Sequence, residues 1–468
     1  MSEKSHPCHW IAQAKQIENW VEPTPLNQDI ETDVCIVGGG YTGLWTAILL
    51  KQKSPQLRVT IVEKRFCGSG ASGVNGGCML TWATKYPSMV KMFGEKQAKF
   101  LVEESERVVF EIEAFCKEHD IDAGLRRNGT YYTATNTAQC GSMAPTVDKL
   151  EELGINSWRK TDEKELNGNT GSAKHIEGYY SGAAGSVQPA LLARGLRKAA
   201  LELGVEIFEN TEMTELKYGK PATVITAQGS VKAEQVVLAL NAWMVDKFKE
   251  FKNSIVVVSS DMVITKPVPE LLKKSKLAEG VTVVDSRIFV HYYRDTVDGR
   301  VMLGKGGNHF SFKNQVEPMF NQHTKYLPLL KNSFDNLFPH IGREQISTNW
   351  TGGSDRSTTG FPFFGNIKQQ NNIFYGLGYS GNGVAQTRIG GKILSSMVLG
   401  EDSEYASCAL TGGPRGHFPR EPMRWLGAMM VRDAVRRKES AEDKEKKPFV
   451  IDKLLAKLAG PAGKADKV

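Results

Sequence analysis

Glycines 38, 39 and 40 fall between an apolar tetrad at 34–37 and an apolar run that starts at Tyr41 and includes Gly43. The segment Gly38-Gly39-Gly40-Tyr41-Thr42-Gly43 fits the pattern GxGxxG. Its flanks predict a buried strand over 34–37, a helix over 41–52 and, after Ser54-Pro55, a second strand over 57–62: the βαβ unit of a parallel sheet. Each glycine has a task in that setting. Gly38 makes the tight turn, Gly40 lets the backbone approach a pyrophosphate, and Gly43 allows helix to pack closely on strand. The helix start offers N–H donors and the positive end of its dipole to phosphates. Glu63, at the end of the second strand, is placed to accept hydrogen bonds from an adenosine ribose. The chain is therefore expected to bind a dinucleotide.

A chain of 468 residues exceeds one simple core and predicts two substructures, interleaved if the motif at 38–43 and later strands share one sheet. Hydrophobic residues at 40% and charged residues at 24% match an ordinary globular protein. The net charge of +7 sits mostly in the tail, where residues 414–468 hold 14 Lys/Arg against 8 Asp/Glu. The body is near neutral, which argues against nucleic acid as a partner. Seven cysteines (8, 35, 67, 78, 116, 140 and 408) without a CxxC pair predict reduced thiols and no metal site. No apolar run follows a basic start, and the longest, at 34–50, is broken by glycines. A cytoplasmic protein without a membrane association is expected.

Further along, residues 86–120 repeat Met89, Phe93, Phe100, Leu101, Val108 and Ile112 at helical spacing. Pro189 opens a helix over 190–203 that Gly204 closes. Strands over 205–208, 224–226 and 236–239 resume the first sheet. Segments 255–265, 282–293 and 301–304 are rich in β-branched and aromatic residues and predict a second, antiparallel sheet. The fold class is α/β, α+β overall: a Rossmann-like domain (30–85, 180–245 and 355–400) interleaved with an antiparallel-sheet domain (86–179 and 246–354). An N-terminal extension (1–29) and a basic helical tail (401–468) flank them. In the tail, Met423, Leu426, Met430 and Val431 form an apolar stripe expected to cover the body or a homo-oligomer interface, not lipid.

GxGxxG serves nicotinamide and flavin dinucleotides alike, so a nicotinamide-dependent dehydrogenase is one alternative. Every residue from Gly68 to Gly73 is small, however, and Cys67-Gly68-Ser69-Gly70-Ala71-Ser72-Gly73-Val74-Asn75-Gly76-Gly77 can wrap backbone N–H groups around a second phosphate and approach a planar ring. Near the other end, Gly376-Leu377-Gly378-Tyr379-Ser380-Gly381-Asn382-Gly383 precedes a helix. Two glycine-rich helix starts far apart in one chain favour one cofactor held twice.

The stretch VEKRFCGSGASGVNGG resembles the acid-then-GASGRNGG element of FAD-dependent amine and amino-acid oxidoreductases of the D-amino-acid oxidase superfamily, its gamma-glutamylputrescine-oxidase-like members above all. Val74 stands where an arginine is usual. The segment 236–243 resembles the family strand beside FAD, Tyr292-Tyr293-Arg294 to Gly304 the hairpin walling the substrate cavity, and 376–383 the C-terminal flavin-binding element. The resemblance implies a glutathione-reductase-type fold and FAD contacts from Gly38, Gly40, Tyr41, Thr42, Gly43, Glu63, Lys64, Gly70, Ala71, Ser72, Asn75, Gly76, Gly77 and Met213. It adds Ala239, Asn241, Trp243, Gly378, Tyr379, Ser380, Gly381, Asn382, Gly383 and Val384. It also implies oxidation of a C–N bond by hydride transfer to flavin, giving an imine that water hydrolyses.

The substrate end is less defined. Cations that fix a substrate carboxylate in related enzymes are absent from 379–386 and from Trp350-Thr351-Gly352-Gly353. This favours a small amine, such as a secondary amine or polyamine derivative, over a simple amino acid, with Arg356 and Arg388 as candidate partners for a distant acid group. Trp82, His291, Tyr293 and Trp350 are the cavity candidates; no catalytic residue is singled out. The lysine that speeds oxygen reaction in some members is replaced by Met302, with Lys305 offset, leaving O2 or another electron acceptor open. No cysteine lies at 351–354, so FAD is expected to be non-covalent. A non-catalytic flavoprotein scaffold is the remaining alternative.

Overall fold

The structure is a computed structural model, and it describes residues 7–18, 20–316 and 320–460. Helix α1 (His9–Ile17) comes first, then β1 (Ile30–Val37), α2 (Tyr41–Lys53), β2 (Val59–Val62) and the short α3 (Ala71–Val74). The chain leaves this layer through α4 (Tyr86–Phe93), α5 (Glu95–Glu118), β3 (Thr130–Ala134), β4 (Trp158–Lys160) and β5 (Glu177–Ser181). It returns through α6 (Pro189–Glu202), β6 (Glu206–Phe208), β7 (Ala222–Ile225) and β8 (Ser230–Leu238). A second excursion builds β9 (Ile255–Thr265), β10 (Thr282–Asp285), β11 (His291–Asp295), β12 (Val301–Phe310) and β13 (Ile346–Ser357). The last elements are β14 (Phe363–Asn366), β15 (Ile373–Leu377), α7 (Gln386–Leu399), α8 (Met423–Glu442) and α9 (Val450–Lys457).

Two sheets result. In the first the order is β14-β15-β8-β1-β2-β6, with β15, β8, β1, β2 and β6 parallel. Residues 34–37 and 59–62 are buried on both faces, as an apolar run in a covered parallel sheet must be. Helix α2 lies on it with Leu44, Trp45, Ala47, Ile48 and Leu50 sealed from water. Truncating a side chain as large as Trp45 in such a site costs about 3–5 kcal/mol. In the second sheet the order is β13-β9-β12-β11-β10-β3-β5-β4, antiparallel except for β10 beside β3. Both sheets draw on strands from separate parts of the chain, so the two layers are interleaved.

Several expectations change in detail. The stretch 86–120 is two helices, because Gly94 adopts φ +80° between α4 and α5. The segment 282–293 is two strands joined by a turn in which Arg287 is buried and bonded to Asp285. The N-terminal extension holds α1, whose Trp10, Ile11 and Ala14 are buried. Gln188 Nε2 donates to Trp10 O at 2.9 Å, and the Trp10 and Trp350 rings meet edge to face at 5.8 Å. In the tail stripe, Val431 packs inward, whereas Met423, Leu426 and Met430 are largely exposed.

Candidate functional site

A cavity of about 300 Å³ opens at the carboxyl ends of β1, β2 and β8 and runs to the second sheet. Its first wall is the glycine turn. Gly38 N donates to Val62 O at 2.9 Å, and φ +113° at Gly38 turns the chain out of β1. A Cβ at Gly43 would stand 2.0 Å from Gly38 O, so only glycine lets α2 start this close to the strand. Gly43 therefore acts through packing and does not line the cavity; Gly38, Gly40, Tyr41 and Thr42 do. Gly40 caps α2 with no side-chain hydrogen bond. Glu63 lines the same end, its Oε2 accepting from Gly39 N at 2.7 Å and its Oε1 from Arg65 N at 3.0 Å. Burial pushes the Glu63 carboxyl up, and these N–H donors pull it back.

The second wall is 68–76. Asn75 folds this loop on itself: Oδ1 accepts from Gly77 N at 2.7 Å and Nδ2 donates to Ser72 O at 2.8 Å. Arg294, from β11, fastens it with Nε to Gly76 O at 2.8 Å and Nη2 to Val187 O at 2.7 Å. Gly70, Ala71, Ser72, Asn75 and Gly76 face the cavity, as do Lys64, Met213, Ala239, Asn241 and Trp243. Gly77 does not; it serves as the turn, at φ +69°.

The third wall belongs to the other end of the chain. Tyr379, Gly381, Asn382, Gly383 and Val384 line the cavity. Gly378 and Ser380 instead build the turn behind them. Gly378 N donates to the carboxylate of Asp355, and Ser380 Oγ accepts from Ser357 N at 3.1 Å. Asp355, absent from the sequence-derived set, lines the cavity and is buried, and burial raises its carboxyl to about 6. Thr42 Oγ1 donates to Tyr379 OH at 2.9 Å, tying the first wall to the third.

At the far end the four sequence candidates are displaced. Among the described residues, neither Trp82, His291, Tyr293 nor Trp350 lines the cavity. Trp82 is sealed in the core against Phe361. Trp350 Nε1 donates to Val74 O at 2.7 Å, bracing the 68–76 loop from behind. Tyr293 OH donates to Thr170 O at 2.7 Å and meets His175 Nε2 at 2.6 Å. His291 lies 2.8 Å from Asp285 through Nδ1. The cause is strand alternation: His291 and Tyr293 share one face of β11, and it is the opposite one that meets the cavity. Tyr292 occupies that face, its hydroxyl 2.7 Å from Ser260 Oγ, and both line the cavity with Met262, Ser354 and Arg356. Arg356 Nη1 donates to Ser380 O at 3.1 Å. Arg388 pairs with Glu111 at 2.7 Å, away from this end. Met302 is buried beside Gly76, and Lys305 Nζ donates to Phe289 O at 3.0 Å. Tyr292 stands opposite Gly304, where a Cβ would come 2.1 Å from the Tyr292 ring, a pairing visible only once the register across the sheet is known.

The donor set fits FAD. Trp243 Nε1 and Ser354 Oγ are buried without a protein partner, and both residues line the cavity. The start of α2 at Gly40 suits a pyrophosphate, and the chain passes close to the space through Gly38, Gly70, Gly76 and Gly383. Cys78 also lines it, with burial raising its thiol to about 11 and so keeping it protonated at neutral pH. Among the described residues no cluster of His, Cys, Asp and Glu could hold a metal.

The family model described as "DAO: FAD dependent oxidoreductase" matches residues 33–397. The chain belongs to this family. Gamma-glutamylputrescine oxidoreductase of Escherichia coli (strain K12) is 28% identical over 412 residues, which span 86% of this chain and 92% of that protein. Glycine oxidase of Pseudomonas aeruginosa is 23% identical over 386 residues, spanning 79% of this chain and 95% of its own. Among solved structures, glycine oxidase from Geobacillus kaustophilus superimposes with a TM-score of 0.68 at 22% identity, covering 82% of this chain and 100% of that one. The D-amino-acid-oxidase fold and dependence on FAD are thus properties of this chain, and the family match spans all three walls of the cavity.

Proposed function

We propose that the chain oxidises the C–N bond of a small amine at the end of the cavity formed by Tyr292, Ser260 and Arg356. The observation that carries this reading is the polar group of those three side chains lining the same cavity as the glycine-rich walls. When bound, FAD supplies the two-electron acceptor for the C–H bond next to nitrogen, and the imine product hydrolyses to a carbonyl compound and an amine. The residues of the chain do the rest. Gly38, Gly40, Tyr41, Thr42 and Glu63 hold the adenosine and pyrophosphate end, 70–76 the middle, and 379–384 the ring. Tyr292, kept protonated by burial, orients the substrate through its hydroxyl, and the Arg356 guanidinium favours a substrate with an anionic group away from the reacting carbon. Met262 and Val290 exclude water there, which favours the uncharged amine.

We read 30–85, 180–245 and 355–400 as the FAD-binding part and 86–179 with 246–354 as the substrate-binding part. The cytoplasm suits the seven cysteines, each of which is a free thiol.

The relatives' names support a C–N donor, gamma-glutamylputrescine and glycine being the compounds printed in them. Anaerobic addition of primary amines, secondary amines, acylated diamines and amino acids to the flavin-loaded protein tests the reading. Bleaching of the visible flavin band by one amine class is expected, with recovery on air if O2 is the acceptor. A loaded protein that no amine bleaches would leave the scaffold alternative standing.

A further inference from the structure

Helices α8 and α9 carry an apolar face that the body leaves uncovered. Sixteen large hydrophobic side chains are exposed among the described residues, and eight of them lie between 423 and 458. Met423, Leu426 and Met430 recur at helical spacing on α8, and Phe449, Val450 and Ile451 are 61–77% exposed at the start of α9. The opposite faces are firmly seated. Ala434, Val435 and Ala456 are buried, and Glu439 accepts from Phe289 N at 3.1 Å. Arg287 reaches Asp443 at 2.7 Å, and Arg437 clamps α8 to α9 through Asp452 at 2.7 Å. The outward face is therefore a fixed feature of docked helices, and it exceeds the scattered exposure of single side chains found on ordinary surfaces.

Beneath it lies a second cavity of about 410 Å³, lined almost wholly by apolar side chains. Met423, Met430 and Leu458 belong to its wall and are also exposed, so it opens onto the same face. Its inner wall includes Gly307, Phe289 and Arg356, and Arg356 lines the flavin cavity too.

The exposed charges along this part of the chain are mostly basic. Between 414 and 460, eight exposed Lys or Arg residues stand against two exposed acids, Asp443 and Glu445. Three of them, Lys444, Lys446 and Lys447, sit on the turn that leads to Phe449. A two-fold contact with a second copy would lay this basic rim against itself. An anionic bilayer surface instead attracts each Lys or Arg near it and accepts the apolar side chains between them. Among the described residues no helix is long and apolar enough to cross a membrane, so contact would be in the plane of the interface.

We propose that α8 and α9 seat the protein on the surface of an anionic lipid bilayer, with the second cavity opening toward the acyl chains. Co-sedimentation of the full-length, flavin-loaded protein with vesicles tests this. Binding to phosphatidylcholine mixed with phosphatidylglycerol, weakened by salt, is expected, and little to phosphatidylcholine alone. The triple variant Phe449→Ser, Ile451→Ser, Leu454→Ser should lose affinity on the order of tenfold or more while keeping its flavin and melting temperature, since these side chains face outward. If that variant fails to fold, Lys446→Glu with Lys447→Glu should abolish the preference for phosphatidylglycerol. A protein that pellets with neither vesicle overturns the proposal. So does a dimer in light scattering that the triple variant turns into a monomer without any vesicle affinity, because a second copy would then cover the face.

Discussion

Ser72 Oγ would lie 3.0 Å from a Cβ placed on Gly40, and the same hydroxyl already accepts from Tyr41 N at 2.9 Å. A branched side chain at 40 would press on Ser72, separating the first and second walls, and fill the space proposed for pyrophosphate. Gly40→Val is expected to emerge from purification without flavin, while circular dichroism retains the wild-type helix content; stoichiometric FAD at wild-type affinity would remove Gly40 from the site. At this scale the sequence was legible where chemistry demands a residue with no side chain. The glycine roles at 38 and 43 follow from the motif, and the backbone obeys them. Tyr292 against Tyr293 was not legible, because a strand shows one face or the other according to register, and register is set by partners such as Gly304 that pair across the sheet.

Elements bounded by glycine and proline were read closely, since those residues punctuate the backbone directly. Helix α6 begins at Pro189 and ends before Gly204 at φ +82°. The strands β3 and β5 escaped notice because their partner lies in another part of the chain: Thr130 to Ala134 pairs with Glu177 to Ser181 and with β10. The loop leading into β5 places His175 against Tyr293 of β11, where burial lowers the imidazole to about 4. The unfolded chain protonates His175 near the ordinary histidine value of 6.5, so between pH 6.5 and 4 it binds more protons than the folded one. Stability therefore falls as pH drops through that window. Unfolding free energies from urea titrations at pH 7.5 and 5 should differ by about 2 kcal/mol more in the wild type than in His175→Gln. Equal slopes in the two proteins would show that His175 titrates normally.

Across the whole molecule, the interleaved architecture was readable because two cofactor-type glycine segments sit at 38–43 and 376–383, and a single site can use both only if the chain returns to its first sheet. The outward-turned apolar face of the tail was not, since an apolar helical stripe reads alike whether it turns inward or outward. Only the seating of Glu439 and Val435 fixes its rotation. The cavity as a whole bears on how the cofactor is held. Cys78 is the cysteine of the described residues that lines it, and its thiol is held protonated. Acid precipitation should release all the flavin to the supernatant. Colour that stays with the pellet, and leaves it in Cys78→Ser, would mean a thioether at that sulfur.

The hydrogen bond from Thr42 to Tyr379 joins residues 337 positions apart. A ribosome therefore delivers the two sides of the cavity at opposite ends of synthesis. The glycine turn at 38–43 emerges long before Tyr379, as half of an open groove, and the groove closes only when the segment after β15 has left the exit tunnel. Enclosure of the cofactor is thus a late event in the birth of the protein, and any chain cut short before Tyr379 leaves the tunnel with its nucleotide-binding half facing water.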